Sequence, residues 1–150
     1  MPASTTIITV ASTTVSIASA APATFTAAGY LALTWVPIGE LTDIGTVLGR
    51  EYNTSTHSPI GSAQTVEKKA SYKLGNADFT CGWLEGDAGQ VMLTAAASSN
   101  AIYSFKVIKQ DGTIRYFTAQ VMKFIENLGT VDNVVQGQFT LLRQTDTITA

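Results

Sequence analysis

The sequence has few of the residues that catalytic and metal sites use. Its 150 residues include one cysteine, Cys81, and one histidine, His57. A single cysteine excludes a disulfide within the chain and gives no sign of an oxidising compartment. One histidine and one cysteine are also too few for a typical zinc site, which draws on three or four such ligands. We interpret His57, in the sequence NTSTHSP, as a solvated loop residue, and we expect no catalytic residue, cofactor or metal.

Charged residues are also scarce. They make up 13% of the chain, about half the usual share of a soluble domain, and the net charge of −2 indicates no basic groove for nucleic acid. No apolar run approaches the roughly 18 residues of a membrane span, and no basic segment typical of a secretory signal begins the chain. We expect a protein that is synthesised in the cytoplasm and does not insert in a membrane.

The first part of the chain is almost free of charge. No charged residue precedes Glu40, and residues 1–22 consist largely of Ser, Thr, Ala and β-branched residues. Apolar residues recur there at a spacing of two, at Ile8, Val10, Val15 and Ile17. Because disordered segments are usually charged and poor in β-branched residues, we favour an N-terminal arm that forms a strand against a partner surface. The alternative is a disordered low-complexity arm, and residues 23–150 are predicted to form one domain.

The sequence is rich in β-strand patterns, as expected for a chain with 45% apolar residues. Alternating residues predict a strand over 24–38, a half-exposed hairpin over 66–83 that turns at Gly75-Asn76, and a final strand over 134–144. One helix is predicted over about 87–99, because Asp87 is suited to cap it, with Gln90 at the third helical position. Asn100 is the predicted left-handed stop.

A long loop is predicted over about 37–64, between the first strand and the first hairpin. Loops of this length are usually functional or disordered, and this one carries apolar residues that a solvated linker would not need. These candidates for contact between subunits are Leu41, Ile44, Val47 and Leu48. The alternative is a satellite cluster that folds back on its own domain.

The sequence KVIKQDGTIRYFTAQVMKFIE predicts a second hairpin, with Asp111-Gly112 as a two-residue turn. That turn would place Val107 opposite Tyr116. Large apolar residues then lie on both faces of the second strand, whereas a strand with one face in water alternates apolar and polar residues. Another surface must therefore cover the second face. Together the patterns predict a mainly β fold, an antiparallel β-sandwich or open barrel with one short flanking α-helix and a long loop.

Three segments together resemble the major tail tube proteins of long noncontractile tailed phages, the siphophages. They are the WVPIG sequence with the loop after it, the Ala-rich helix opened by Asp87, and the Asp-Gly hairpin with its aromatic second strand. The resemblance implies a virion protein that forms a ring of six copies, stacks into a tube with other tail proteins, and guides DNA at ejection. Tube proteins of contractile tails and of secretion systems share this architecture. A monomeric module that binds carbohydrate or a receptor is the alternative, although Trp35 and Trp83 follow core patterns.

In such a ring, neighbouring copies would cover the second face of the strand and close the barrel. DNA must slide through the lumen, and contacts that neutralise its charge would bind it strongly. An acidic or neutral lumen would keep the DNA moving, and no sequence-specific contact is expected. The polar candidates for the lumen or the outer wall are Glu67, Lys69, Lys73 and Asp78. Their mixed charge does not decide between the two surfaces.

Overall fold

The structure is a computed structural model and describes residues 7–150. Strands dominate the described part of the chain, with two helices among them. The elements, in chain order, are β1 (Thr14–Ala18), α1 (Ala27–Leu31), β2 (Val36–Ile38), β3 (Leu41–Asp43), β4 (Glu51–His57), β5 (Val66–Lys73), β6 (Asn76–Gly82), α2 (Ala88–Ala97), β7 (Tyr103–Ile108), β8 (Ile114–Asn127), β9 (Gln136–Arg143) and β10 (Ile148–Thr149).

The main sheet has eight strands and every pairing in it is antiparallel. The strands follow the order β2-β1-β7-β8-β9-β6-β3, and β10 pairs with β8. Ile38 of β2, at one end of this row, and Cys81 of β6, next to the other end, belong to one core cluster. The sheet therefore curls around its core without closing. The predicted mainly β, antiparallel fold with a flanking helix is confirmed.

Aromatic pairs across neighbouring strands fill the core. The rings of Phe79 and Phe139 stack with centroids 4.9 Å apart, and those of Phe105 and Phe117 stack at 5.7 Å. Each pair is directly opposed in the strand register, where side chains contact most closely. Stacked aromatic pairs stabilise a fold by about 0.5–1.5 kcal/mol beyond the area they bury. These phenylalanines alternate with residues on the opposite face of their strands, and this alternation defines the face of the sheet that forms the core.

Helix α2 packs on this core and begins where the sequence predicts. The Asp87 carboxylate accepts hydrogen bonds from the backbone N–H groups of Gln90 at 3.1 Å and Gly39 at 3.2 Å, so it caps the helix and ties it to the end of β2. The helix ends at Ser98 as C-cap. The prediction of a left-handed Asn100 is wrong, because the positive-φ non-glycine residues of the described chain lie elsewhere.

The predicted strand over 24–38 is wrong for most of its length. The side chain of Thr26 accepts a hydrogen bond from the backbone N–H of Gly29 at 3.3 Å and caps α1. A Cβ atom at Gly29 would lie 2.1 Å from the carbonyl oxygen of Thr24, so only glycine allows this close turn. The alternation of apolar residues was mistaken for a strand because a helix of five residues is too short to show a helical period.

The α1 segment covers the second face of β8. The ring of Tyr30 stacks on that of Tyr116 at 5.0 Å, and the Trp35 ring lies 5.9 Å from Tyr116. This corrects the expectation that a neighbouring subunit covers that face, at least for the first half of the strand. Farther along β8, Met122 and Ile125 remain exposed.

The predicted register of the β7–β8 hairpin is wrong by one residue. Lys106, not Val107, lies opposite Tyr116. The backbone N–H of Gly112 donates to the carbonyl of Lys109 at 3.0 Å, and Gly112 has a φ of +89°. The connection is therefore a longer turn with a left-handed glycine, a common alternative to the two-residue turn.

Part of the predicted N-terminal arm belongs to the sheet. Strand β1, with Val15 and Ile17 fully buried, pairs with β2 on one side and with β7 on the other. Residues 1–6 of the predicted arm lie outside the described residues. Over 14–18, the partner surface that the apolar alternation requires is therefore supplied by the chain itself.

Candidate inter-subunit interface

Strand β5 pairs with β4 and not with β6, so the predicted hairpin over 66–83 is wrong. The two strands form a separate antiparallel sheet, in which Tyr52 lies opposite Tyr72 and His57 opposite Val66. Strand β6 instead lies between β9 and β3. We call residues 51–73 the projecting hairpin; its first strand lies within the predicted long loop. Apolar and polar residues do not alternate in the sequence EYNTSTH of β4, as expected for a strand with neither face buried.

The projecting hairpin is exposed along both strands. Every residue of β4 and of β5 is exposed, and Ile60 in the connection between them is fully exposed. A hairpin of two strands is at best marginally stable in water without a surface to cover it. A surface of this kind is typical of a segment that packs against another molecule.

Aromatic and cationic side chains stiffen the hairpin near its base. The rings of Tyr52 and Tyr72 lie 5.5 Å apart. The Lys69 ammonium lies 4.6 Å from the Tyr52 ring centroid, and the Arg50 guanidinium lies 4.2 Å from that of Tyr72. Exposed contacts of this type are each worth about 0.5–1 kcal/mol. They preserve the hairpin's shape without burying it.

The structure separates the four polar candidates for the lumen or the outer wall. Glu67, Lys69 and Lys73 lie on β5 in the projecting hairpin. Asp78 lies on β6 in the main sheet, where its carboxylate accepts a hydrogen bond from the Thr140 hydroxyl at 2.7 Å. Three of the four thus lie in the projecting hairpin and one in the main sheet, and their place in the lumen or the outer wall stays a prediction.

Three of the four apolar loop residues pack on their own domain. Leu41, Ile44 and Val47 are partly buried against the core cluster, whereas Leu48 is exposed. A Cβ atom at Gly45 would lie 2.3 Å from the backbone carbonyl oxygen of Asp78, so glycine lets this segment run close beside β6. The arrangement favours the satellite cluster for the first three residues.

Arg143, which joins the hairpin to the sheet, was not predicted from the sequence as a functional residue. Arg143 is 5% exposed and follows Phe139 and Leu141 at the alternating, core-facing positions of β9. That alternation was a usable signal, since a charge on the buried face of a strand requires specific partners. Burial lowers the pKa of the Arg143 guanidinium, and nearby Asp146 acts in the opposite direction.

Other chemistry-bearing side chains take structural positions. The Trp83 ring stacks on Phe124 at 4.9 Å, and its indole N–H donates to Glu85 at 2.8 Å. Burial raises the pKa of the Cys81 thiol.

No cluster of three potential metal ligands occurs among residues 7–150. Over the same residues, each helix is too short or too polar to cross a membrane.

The fold is similar to that of chains in two injection systems and a phage baseplate. A chain of the anti-feeding prophage (AFP) baseplate, 6-fold symmetrised, matches with a TM-score of 0.60 at 10% identity, over 92% of this chain and 91% of that one. A chain of the PVC sheath/tube terminator, from an extracellular contractile injection system, matches at 0.60 and 11% identity over 96% of both chains. A chain of the phage p2 baseplate matches at 0.57 and 12% identity, over 90% of this chain and 45% of that chain.

No protein-family model matches the sequence, and no curated protein matches it. At identities this low the structural matches show the fold alone. The chain thus has a tail-tube-like fold, which occurs in components of phage baseplates and of contractile injection systems. The narrower prediction, a tube protein of a noncontractile phage, stays a prediction.

Proposed function

We propose that the chain is a structural subunit of a phage tail or of a phage-like injection system, and that it assembles with its own copies into rings. The exposed two-stranded hairpin carries the proposal, because such a hairpin needs a covering surface to be stable. The fold supports it, since the matched chains come from assemblies of this kind. The function is thus mechanical, and the side chains that carry it are contact residues.

The ring is proposed to contain six copies, in keeping with the 6-fold symmetry of the matched AFP baseplate. The main sheet ends in β2 and β3, and exposed sheet edges are ready sites for further strand pairing. Pairing between the β3 edge of one copy and the β2 edge of the next would continue the curled sheet around the ring. The projecting hairpin and Leu48 would then contact an adjacent copy or ring.

The lumen is proposed to lie against the polar face of β6 and β9. Asp78, Thr80, Gln138 and Thr140 lie on that face, opposite the Phe79–Phe139 pair on the core face. These side chains are mostly uncharged, so a duplex would pass without the neutralising contacts that bind DNA tightly. Within the virion the conducted molecule would be DNA. The alternative is a tube subunit of a contractile or secretion system.

The test compares assembly of two single substitutions in fully exposed apolar residues. Ile60 lies in the hairpin connection and Val131 in a different turn, before β9. Ile60→Asp should abolish or weaken ring formation in electron micrographs and in light scattering, whereas the matched control Val131→Asp should not. Both variants should keep the circular dichroism spectrum of the wild type. A wild-type chain that stays monomeric at every concentration and salt would contradict the proposed function and favour a monomeric binding module.

A further inference from the structure

The base of the projecting hairpin is held by one buried guanidinium. Nη2 of Arg143 donates to the carbonyl oxygen of Gly49 at 2.7 Å and also to that of Leu74. Gly49 lies two residues before β4 and Leu74 one residue after β5. The same nitrogen therefore bridges the two chain segments through which the hairpin leaves the domain and returns to it.

Residues next to Arg143 add further links to the same base. The Thr147 hydroxyl donates to the carbonyl oxygen of Val47 at 2.5 Å. The Asp146 carboxylate lies 3.2 Å from the Arg50 guanidinium. The segment 143–147 thus contacts the chain that leads into the hairpin at three positions, Val47, Gly49 and Arg50.

Arg143 has no carboxylate partner among residues 7–150, where the Arg50–Asp146 pair is the salt bridge present. Its Nε also has no hydrogen-bond partner there. A buried charge that forms no direct salt bridge is costly compared with an apolar residue of similar size. A contribution to stability therefore does not account for an arginine at this position. The two N–H groups of Nη2 lie in the rigid plane of the guanidinium, which suits them to hold two carbonyls in a fixed geometry.

The two chain segments that Arg143 bridges each contain a left-handed glycine. Gly49 has a φ of +106° and Gly75 a φ of +80°, and at both positions the space of an added Cβ atom is open. Glycine reaches this conformation without steric cost and rotates out of it easily. The hairpin is therefore attached through two flexible positions, and the contacts of the 143–147 segment oppose its rotation.

We propose that Arg143 is a positioning residue that fixes the direction of the projecting hairpin and so prepares it to dock on a neighbouring subunit. The docking half of this statement rests on the proposed function, whereas the fixed direction is a property of the single chain. If loss of Arg143 left the hairpin in the docking direction for about one tenth of the time, the apparent dissociation constant for assembly would rise about tenfold.

The experiment measures the distance between spin labels at Ser62, near the hairpin tip, and Thr130, in a turn of the main domain. Labels are attached to introduced cysteines in a Cys81→Ala background, and the labelled chain is diluted into unlabelled chain. The wild type should give a narrow distance distribution. Arg143→Lys keeps the charge but replaces the rigid planar donor group with an ammonium on a flexible stem, so its distribution should broaden, as should that of Arg143→Met.

The matched control is Arg115→Met. Arg115 donates to the Thr149 hydroxyl at 2.6 Å, away from the hairpin base, so its loss should leave the distribution narrow. A narrow distribution in folded Arg143→Lys and Arg143→Met would overturn the proposal, and so would failure of both variants to fold, since Arg143 would then be required by the core itself.

Assembly is measured separately by light scattering. A wild type that never assembles counts against the proposed function. Even if the wild type never assembles, a distance distribution that broadens in both Arg143 variants would support the claim that Arg143 fixes the direction of the hairpin. Broadening without any loss of assembly would overturn the docking half of the proposal.

Discussion

The curled main sheet and the projecting hairpin are both antiparallel β-structure, yet they are stabilised differently. In the main sheet Phe79, Phe105, Phe117 and Phe139 are buried in pairs. In the hairpin the one aromatic pair, Tyr52 with Tyr72, is exposed. Backbone hydrogen bonds pair the strands in both, and their net contribution to stability is small. Burial, more than strand pairing, therefore decides which part of this chain is stable alone.

The largest expected effect is in the main sheet. Phe139→Ala removes a ring that contacts both Phe79 at 4.9 Å and Phe124 at 6.0 Å. The cavity should lower the free energy of unfolding by about 3–5 kcal/mol, measured by chemical denaturation. A loss below about 1 kcal/mol would mean that the two regions differ less than their burial indicates.

The next effect tests how closely α2 packs on the sheet. A Cβ atom at Gly89 would lie 2.4 Å from the Pro37 carbonyl oxygen and 2.7 Å from Ile38 Cα, and backbone atoms cannot yield cheaply. Gly89→Ala should lower the free energy of unfolding by about 1–3 kcal/mol. Gly86→Ala is the control, because nothing lies within 4 Å of its added Cβ; equal losses in both variants would contradict this packing argument.

A small effect on stability is expected in the hairpin. Tyr72→Ala removes an exposed ring and its contacts with Tyr52 and Arg50. The free energy of unfolding of the single chain should fall by less than about 1 kcal/mol, because the ring is not part of the core. Assembly, measured by light scattering, should fall much more. A loss of stability as large as that of a core phenylalanine would remove the contrast between the two regions.

The smallest effect concerns pH. Burial raises the pKa of the Cys81 thiol, so the folded chain disfavours the thiolate. This contribution to stability is full below the ordinary thiol pKa of about 8.5 and is lost as pH rises through the higher folded pKa. We expect the wild type to lose stability more steeply than Cys81→Ala as pH rises above about 8.5. A series of chemical denaturation curves at increasing pH measures this difference. Parallel curves would show that the thiol is not shielded in the folded core.

The elements that the sequence predicted well have one buried face. Phe79 and Cys81 on β6, and Phe139 and Leu141 on β9, alternate with polar residues, and both strands were predicted. Asp87 marked the start of α2 because its side chain caps the helix locally. These signals are short-range and depend on a period of two or on a single turn.

The missed elements depend on contacts far apart in the chain. Strand β4 has no buried face and was placed in a loop. The α1 segment was predicted as a strand because its helical turn is short and Tyr30 packs on Tyr116, which is distant in sequence. The apolar loop residues were predicted as contacts between subunits, but Leu41, Ile44 and Val47 pack partly on their own core. Arg143 was missed because its partners, Gly49 and Leu74, are brought to it by the fold.

By itself the sequence determined that this chain forms a mainly β domain with a capped helix, since alternation and capping act within a few residues. Contacts between distant parts of the chain set the pairing of β5 with β4, the cover of the first half of the second face of β8 by the α1 segment, and the buried arginine at the base of an exposed hairpin. The physical reason is that the choice of strand partner, and of the surface that covers a face, depends on burial that many distant residues create together.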